Sequence, residues 1–300
     1  MLAALAAALA LAAPPAEPLD RLAAALRSAP PGGARAAAAT APLVGAPYLP
    51  SALGEGAGPD PDPRFRLDAF DCMTFVETAV ALGSATSPAE AARALDDIRY
   101  DGPAALAARN HEVLSQWIPQ NAAKGWIVDV GPELAGAQAP LAEKTYTPES
   151  WALVRTAGRA IPGLPRRRLP LGRFAVHVVP AAAVAALARD IPEGALAFVV
   201  RADRPDRATR ITHAGVVVRG PAGAVHVRHA TSSKGVGRVI EEPIERFLRR
   251  QERALPRWPF EGLAILAIRD NRDRLRALPA PGPSSSRRAE GPLPPPPPRL

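Results

Sequence analysis

Five short runs rich in Val, Ile and Leu occupy the second half of this 300-residue chain: Phe174–Val179, Ala195–Arg201, His213–Arg219, Ala224–His229 and Leu263–Arg269. Their length and branched side chains predict β-strands. Gly220-Pro221-Ala222-Gly223 turns the third run back on the fourth as a hairpin. One helical pattern, Ala181–Ala188, separates the first two runs. Everything ahead of them is helical or irregular. Helices first and a sheet afterwards predict an α+β fold, a helical N-terminal half packed on a mainly antiparallel β-sheet.

In the first half, Leu19, Leu22 and Leu26 mark a helical pattern within residues 17–40, broken at Pro30–Gly33. Residues 41–70, rich in Pro, Gly and Asp, read as an ordered loop or surface excursion. From Asp71 to Leu82 apolar side chains fall at 72, 75, 76, 79, 80 and 82, close to the helical period. Asp71 is well placed as N-cap, which puts Cys72 at or next to the first position of a buried helix. Pro88–Ile98 reads as a second helix, capped by Ser87 and opening on Pro88. Residues 104–118 predict a helix ending at Trp117 and Ile118, and residues 130–170, broken by prolines, read as an irregular insertion. One domain over residues 17–275 holds all of these elements. Residues 276–300, with Ser284–Ser286 and Pro294–Pro298, are low-complexity sequence expected to be disordered.

Composition narrows the function classes. The net charge of +8 comes almost entirely from arginine and favours anionic partners. The arginines are scattered and aromatics are only 5%, so no basic stripe interleaved with stacking residues exists and nucleic acid is not the expected partner. A lone cysteine excludes an intramolecular disulfide and a multi-thiolate metal site. Residues 1–16 form a short apolar stretch ending in small residues, as in a secretory signal peptide, and predict an exported, periplasmic or extracellular protein. No other segment reaches the run of about 18 apolar residues that spans a bilayer, so stable membrane insertion is not expected.

A helix N-terminus favours a thiolate through its unpaired N–H groups and its dipole, which makes Cys72 a candidate nucleophile. Of the five histidines, His213 opens one hairpin strand and His229 closes the other. Pairing Val217 with Val225, across a loop at 220–222, sets His213 opposite His229 on one face. His213 is then the candidate base and His229 the group that orients it, provided the register holds. His177 and His226 read as structural, and His111 as a candidate cleft residue only in company with its neighbours. No His-x-x-x-His spacing supports a metal site, and no cofactor is expected.

These residues resemble a known family. Asp71-Cys72 opening a helix, His213-Ala214-Gly215-Val216 opening a strand and His229-Ala230 closing the next resemble the NlpC-type papain-like cysteine peptidases of bacterial cell walls. Gly45-Ala46-Pro47-Tyr48, Phe70 to Thr78, Ile98-Arg99-Tyr100, Arg109-Asn110-His111, Trp117-Ile118 and His229-Ala230-Thr231-Ser232 are similar to the branch described as N-acetylmuramoyl-L-alanine amidases. Met73 and Glu112 depart from that branch's pattern. The resemblance implies a papain-like, NlpC-type fold and hydrolysis of the amide between N-acetylmuramic acid and L-alanine in peptidoglycan or muropeptides. It implies Cys72 as nucleophile, His213 as base and then acid, and His229 as orienting residue. By the same resemblance Tyr48 and Asp71 bind the peptide part of the substrate, and Arg109, Asn110 and His111 line the cleft, with Arg109 meeting a stem-peptide carboxylate. A D,L-endopeptidase and a non-catalytic peptidoglycan-binding protein are the rival readings.

Overall fold

The computed structural model describes residues 18–136, 139–156, 159–160 and 164–279. The expected leader at residues 1–16 lies outside the described residues, as does the expected tail of 276–300 from residue 280 onward, whereas Arg276 and Ala277 at its start belong to a helix over Arg272–Ala277. In chain order the first half forms helices α1 (Pro18–Ser28), α2 (Gly33–Thr40), α3 (Cys72–Ser84), α4 (Pro88–Arg99) and α5 (Ile118–Ala123). Short elements follow: β1 (Ile127–Asp129), α6 (Gly131–Ala135), β2 (Leu141–Tyr146), α7 (Pro148–Ala152), β3 (Arg155–Thr156) and β4 (Arg159–Ala160). The second half holds β5 (Gly172–His177), β6 (Val179–Pro180), α8 (Ala181–Leu187), β7 (Leu196–Arg201), β8 (Ile211–Arg219), β9 (Val225–Thr231), β10 (Arg238–Pro243), α9 (Ile244–Ala254), β11 (Phe260–Ile268) and α10 (Arg272–Ala277).

The main sheet is antiparallel throughout, in the order β1-β11-β7-β8-β9-β10, with β6 also paired to β11. The α+β class therefore holds. Strand β7 explains why its sequence is apolar without alternation: it is central and buried on both sides. Leu196, Phe198 and Val200 face a core shared with α1 to α4, while Ala197 and Val199 face a second core with Val184 of α8 and Ile244 and Phe247 of α9. Helices thus cover both faces of the sheet.

Three local expectations are corrected. The run at Phe174–Val179 does not join the main sheet as one strand; β5 pairs only with β2, and β6 alone reaches β11. Residues 104–118 are not one helix. Leu106–Ala108 makes a 3₁₀ turn, and Val113–Trp117 is a π-helical turn that runs into α5. Glu112 caps that turn, its carboxylate accepting from the Ser115 N–H at 2.6 Å, which fixes its start later than the apolar pattern suggests. The hairpin register also differs. Val217 pairs with Val227 and Arg219 with Val225, so the loop spans residues 220–224, closed by the Gly220 N–H on the Ala224 carbonyl at 2.7 Å. Ala222 takes a left-handed conformation (φ 54°) inside it. The shift is by two residues, and side chains alternate with period two, so His213 and His229 still share a face as diagonal neighbours.

The loop at 41–70 is tied to the helices by a buried arginine. Arg99 at the end of α4 donates to Glu77 of α3 at 2.5 Å and to the Leu53 carbonyl at 3.1 Å. Both side chains of this pair are buried. Removing one partner of such a pair strands a charge, so Arg99→Met is expected to destabilise by about 3–5 kcal/mol in urea unfolding, with a smaller loss when Glu77 is also replaced by Met. Equal stability of the single variant and the parent would remove the pair from the account. Gly215 supplies a second test. A Cβ there would sit 2.6 Å from Val227 Cγ1 and 3.0 Å from both the Arg228 carbonyl oxygen and His229 Cβ. Gly215→Ala should therefore part β8 from β9, lowering stability by about 1–3 kcal/mol, and an unchanged denaturation midpoint would contradict this packing.

Candidate active site

Cys72 is the first residue of α3, as its sequence indicates. Asp71 is the N-cap in a capping box: its Oδ1 accepts from the Thr74 N–H at 2.7 Å, while the Thr74 hydroxyl accepts from the Asp71 N–H at 2.9 Å. The other carboxylate oxygen of Asp71 accepts from the Ser51 N–H at 3.0 Å. This clamps the 47–51 loop onto the helix start, and the Leu49 N–H on the Phe70 carbonyl (3.0 Å) and the Phe70 N–H on the Pro47 carbonyl (3.0 Å) reinforce it. Tyr48 is thereby held near the cysteine. Burial, then the proximity of Cys72 and the Asp71 carboxylate, pushes its hydroxyl up to about 12, partly offset by Ser232. At pH 7 Tyr48 is a neutral donor.

The cap satisfies the N–H of Thr74 and leaves those of Cys72 and Met73 turned toward the sulfur, joined by the Ala214 N–H from β8. All three favour the thiolate. Burial and the Asp71 charge act the other way and win, pushing the thiol up to about 12. The sulfur therefore meets β8 at the residue next to His213.

The His213 and His229 rings are joined, Nε2 of His213 to Nδ1 of His229, at 2.8 Å. Phe247 of α9 packs against both, stacked on His213 (centroids 6.0 Å apart) and edge-on to His229 (5.0 Å). Cys72 and His213 keep partial exposure, whereas His229 has none. Burial, with the charges of His229 and Arg250, pushes the His213 imidazolium down to about 3, and burial lowers His229 as well. Burial thus disfavours the charged form of both the thiol and the imidazole.

The chain of contacts extends beyond the sequence-derived candidates. Nε2 of His229 meets Oε1 of Glu242 at 3.0 Å, on β10. Arg250 of α9 grips that carboxylate with Nε on Oε1 (2.7 Å) and a second nitrogen on Oε2 (2.9 Å). Burial opposes the Glu242 charge, yet the hydrogen bonds from His229 and Arg250 outweigh it and hold the carboxyl at about 2. Neither residue stands out in the sequence. The one available signal is spacing: Arg246 and Arg250 lie four and eight residues beyond Glu242, one helical face aimed back at it, and Arg246 also reaches Oε2 at 3.2 Å.

The expected cleft residues fare differently. Arg109 is buried (7% exposed) and committed to Glu55 at 2.5 Å and Asp60 at 2.7 Å, so its charge is already matched within the protein. Asn110 donates to the Ile98 carbonyl (3.3 Å) and to Gln120, and accepts from Arg168 (3.4 Å). His111 places Nε2 on the Leu106 carbonyl at 2.7 Å, and burial takes its imidazolium down to about 4. These three tie the 105–111 segment to its neighbours. His177 and His226 pair with Asp129 (2.9 Å) and Glu241 (3.2 Å), away from Cys72, in the structural roles their sequence context suggests.

Known proteins share this architecture. The fold is similar to a crystal structure from Legionella pneumophila, with a TM-score of 0.64 and 21% identity over 84% of this chain and 89% of that one. It is also similar to an N-acetylmuramoyl-L-alanine amidase from Bacteroides uniformis, with a TM-score of 0.55 and 17% identity over 85% of this chain and 100% of that one. No curated protein matches the sequence. The family model described as AmiA-like, N-acetylmuramoyl-L-alanine amidase-like, matches residues 38–254, and the chain belongs to that family.

Proposed function

We propose that the protein is an exported, papain-like cysteine amidase of the NlpC type that cleaves the bond between N-acetylmuramic acid and L-alanine in peptidoglycan or soluble muropeptides. The observation that carries this reading is a helix-start thiol that meets the Ala214 N–H, next to the hydrogen-bonded His213, in a chain of the amidase-like family. Export rests on the apolar leader at residues 1–16. The thiol proton passes to His213 as sulfur attacks the lactyl carbonyl. The N–H groups of Cys72 and Met73, which the cap does not use and which lie beside the sulfur, stabilise the oxyanion. His213 then protonates the departing amino group of L-alanine, leaving a thioester on the muramoyl side. Water, deprotonated by His213, releases the acid and restores the thiol. Tyr48, neutral and near the sulfur, is a hydrogen-bond donor to the bound substrate.

Mass spectrometry of purified muropeptides after incubation separates the readings. A free stem peptide beginning with L-alanine is expected. A sugar retaining L-alanine–D-glutamate would instead identify a D,L-endopeptidase, and binding without cleavage a non-catalytic protein. Cys72→Ala should lower turnover by about 10⁴-fold or more while leaving the unfolding curve unchanged. The pH dependence has a definite sign. His213 must be neutral to act as base, and burial favours the neutral ring, so kcat/KM should hold steady as pH falls through 6.5, the ordinary value for histidine. An acid limb centred near 6.5 would show that His213 is not the buried base described.

A further inference from the structure

We propose that Glu242, gripped by Arg250, is the positioning residue that fixes the tautomers of His229 and His213 and so reserves Nδ1 of His213 as the basic nitrogen. The inference rests on the reading of His213 as the base, and it follows from donor and acceptor counting. An ionised carboxylate can only accept, so the 3.0 Å contact from His229 Nε2 requires Nε2–H on that ring. A neutral imidazole with Nε2–H has a bare Nδ1. The 2.8 Å contact between the rings must then run from Nε2–H of His213 to Nδ1 of His229. His213 is left with an unprotonated Nδ1, its only nitrogen free to take the thiol proton. One carboxylate thus sets the proton positions on two rings.

The surroundings support each link. Glu242 is 3% exposed, so water does not compete for its oxygens. The charged and titratable groups facing it are His229 of β9 and Arg246 and Arg250 of α9. On His213 the further charge is Arg201 of β7, which, like Arg250, disfavours the imidazolium. Once His213 accepts the thiol proton, its Nε2–H remains on His229 and the positive charge faces Glu242 through a single ring. No proton needs to move along the chain for the ion pair to be stabilised.

Two measurements without substrate test the proposal, so its outcome is independent of which bond the enzyme cleaves. Long-range ¹H–¹⁵N spectra of histidine-labelled protein, assigned with His213→Asn and His229→Asn variants, should show both rings as Nε2–H tautomers at neutral pH. Glu242→Gln, whose amide can donate as well as accept, should populate the Nδ1–H form of His213. The same substitution should slow alkylation of Cys72 by iodoacetamide by about 10²-fold at neutral pH. Arg250→Met leaves the carboxylate in place and should keep both tautomers. An Nδ1–H tautomer of His213 in the unaltered protein overturns the proposal, and this measurement stands even if the Gln variant does not fold. So does a folded Glu242→Gln protein with unchanged tautomers and unchanged alkylation rate.

Discussion

The carboxylate of Asp71 is the contact on which the rest of the site depends. One oxygen closes the first turn of α3 and the other holds the Ser51 N–H, so a single side chain registers the helix against the Tyr48 loop. Without it, the N–H groups beside the sulfur and the nearby Tyr48 hydroxyl would have no common frame. The same charge opposes ionisation of the neighbouring thiol. A helix N-terminus is often invoked as a source of standing thiolate, but here burial and Asp71 outweigh the three N–H groups. In the proposed mechanism the thiolate of Cys72 is therefore made when substrate arrives, which shifts the demand onto His213 as base.

Burial is distributed to meet that demand. His213 stays partly open where a substrate can reach it, while His229 is sealed behind β10 and α9 with Phe247 closing over both rings. In the proposed role of base, a ring whose pKa burial lowers stays neutral, hence competent, at neutral pH, although it is a weaker proton acceptor for the same reason. Glu242 offsets that weakness through His229, because its charge is held in a low-dielectric setting where it acts strongly on a newly formed imidazolium. The second core, built from α8 and α9 against the back of the sheet, thus does more than cover apolar strands. It delivers Arg250 and Phe247 to the histidine pair.

Much of this was legible in the sequence, and the gaps have physical causes. Cys72 at a helix start was readable because the period and the Asp71 cap are local. The shared face of His213 and His229 was readable despite a register off by two, since an even slip preserves the face. Glu242 was not, because Arg238-Val239-Ile240-Glu241-Glu242-Pro243 has no apolar run to announce a strand, and its burial comes from α9 folding back. The partners of Arg109 were not legible for a related reason. The carboxylates that neutralise it, Glu55 and Asp60, lie 54 and 49 residues earlier in a loop whose path no local rule fixes. The 130–170 segment hid β2, which has no partner until β5, some thirty residues later, comes back to pair with it.

The arginine content, read from sequence as a preference for anionic partners, has a different meaning in the fold. Arg201 donates to the carbonyls of Trp258 and Gln251 at 2.6 Å each and to the Thr212 hydroxyl at 3.1 Å, linking β7 to the far end of α9. Arg228 spans from Glu241 to the Ala37 carbonyl and Thr40 hydroxyl, fastening β9 to α2. Arg35 reaches the carbonyls of Ala29 and Ala85. Buried charges of this kind are tolerated because the guanidinium satisfies several acceptors at once and remains protonated. The helices here are rich in alanine, whose methyl groups bury little area, and their loops are long and proline-rich. A planar five-donor group can collect the orphaned carbonyls at helix ends and loop crossings that small side chains leave behind. Lysine, with a single compact nitrogen, could not span the same acceptors, so the basic composition is as much a hydrogen-bonding device of the fold as a property of its surface.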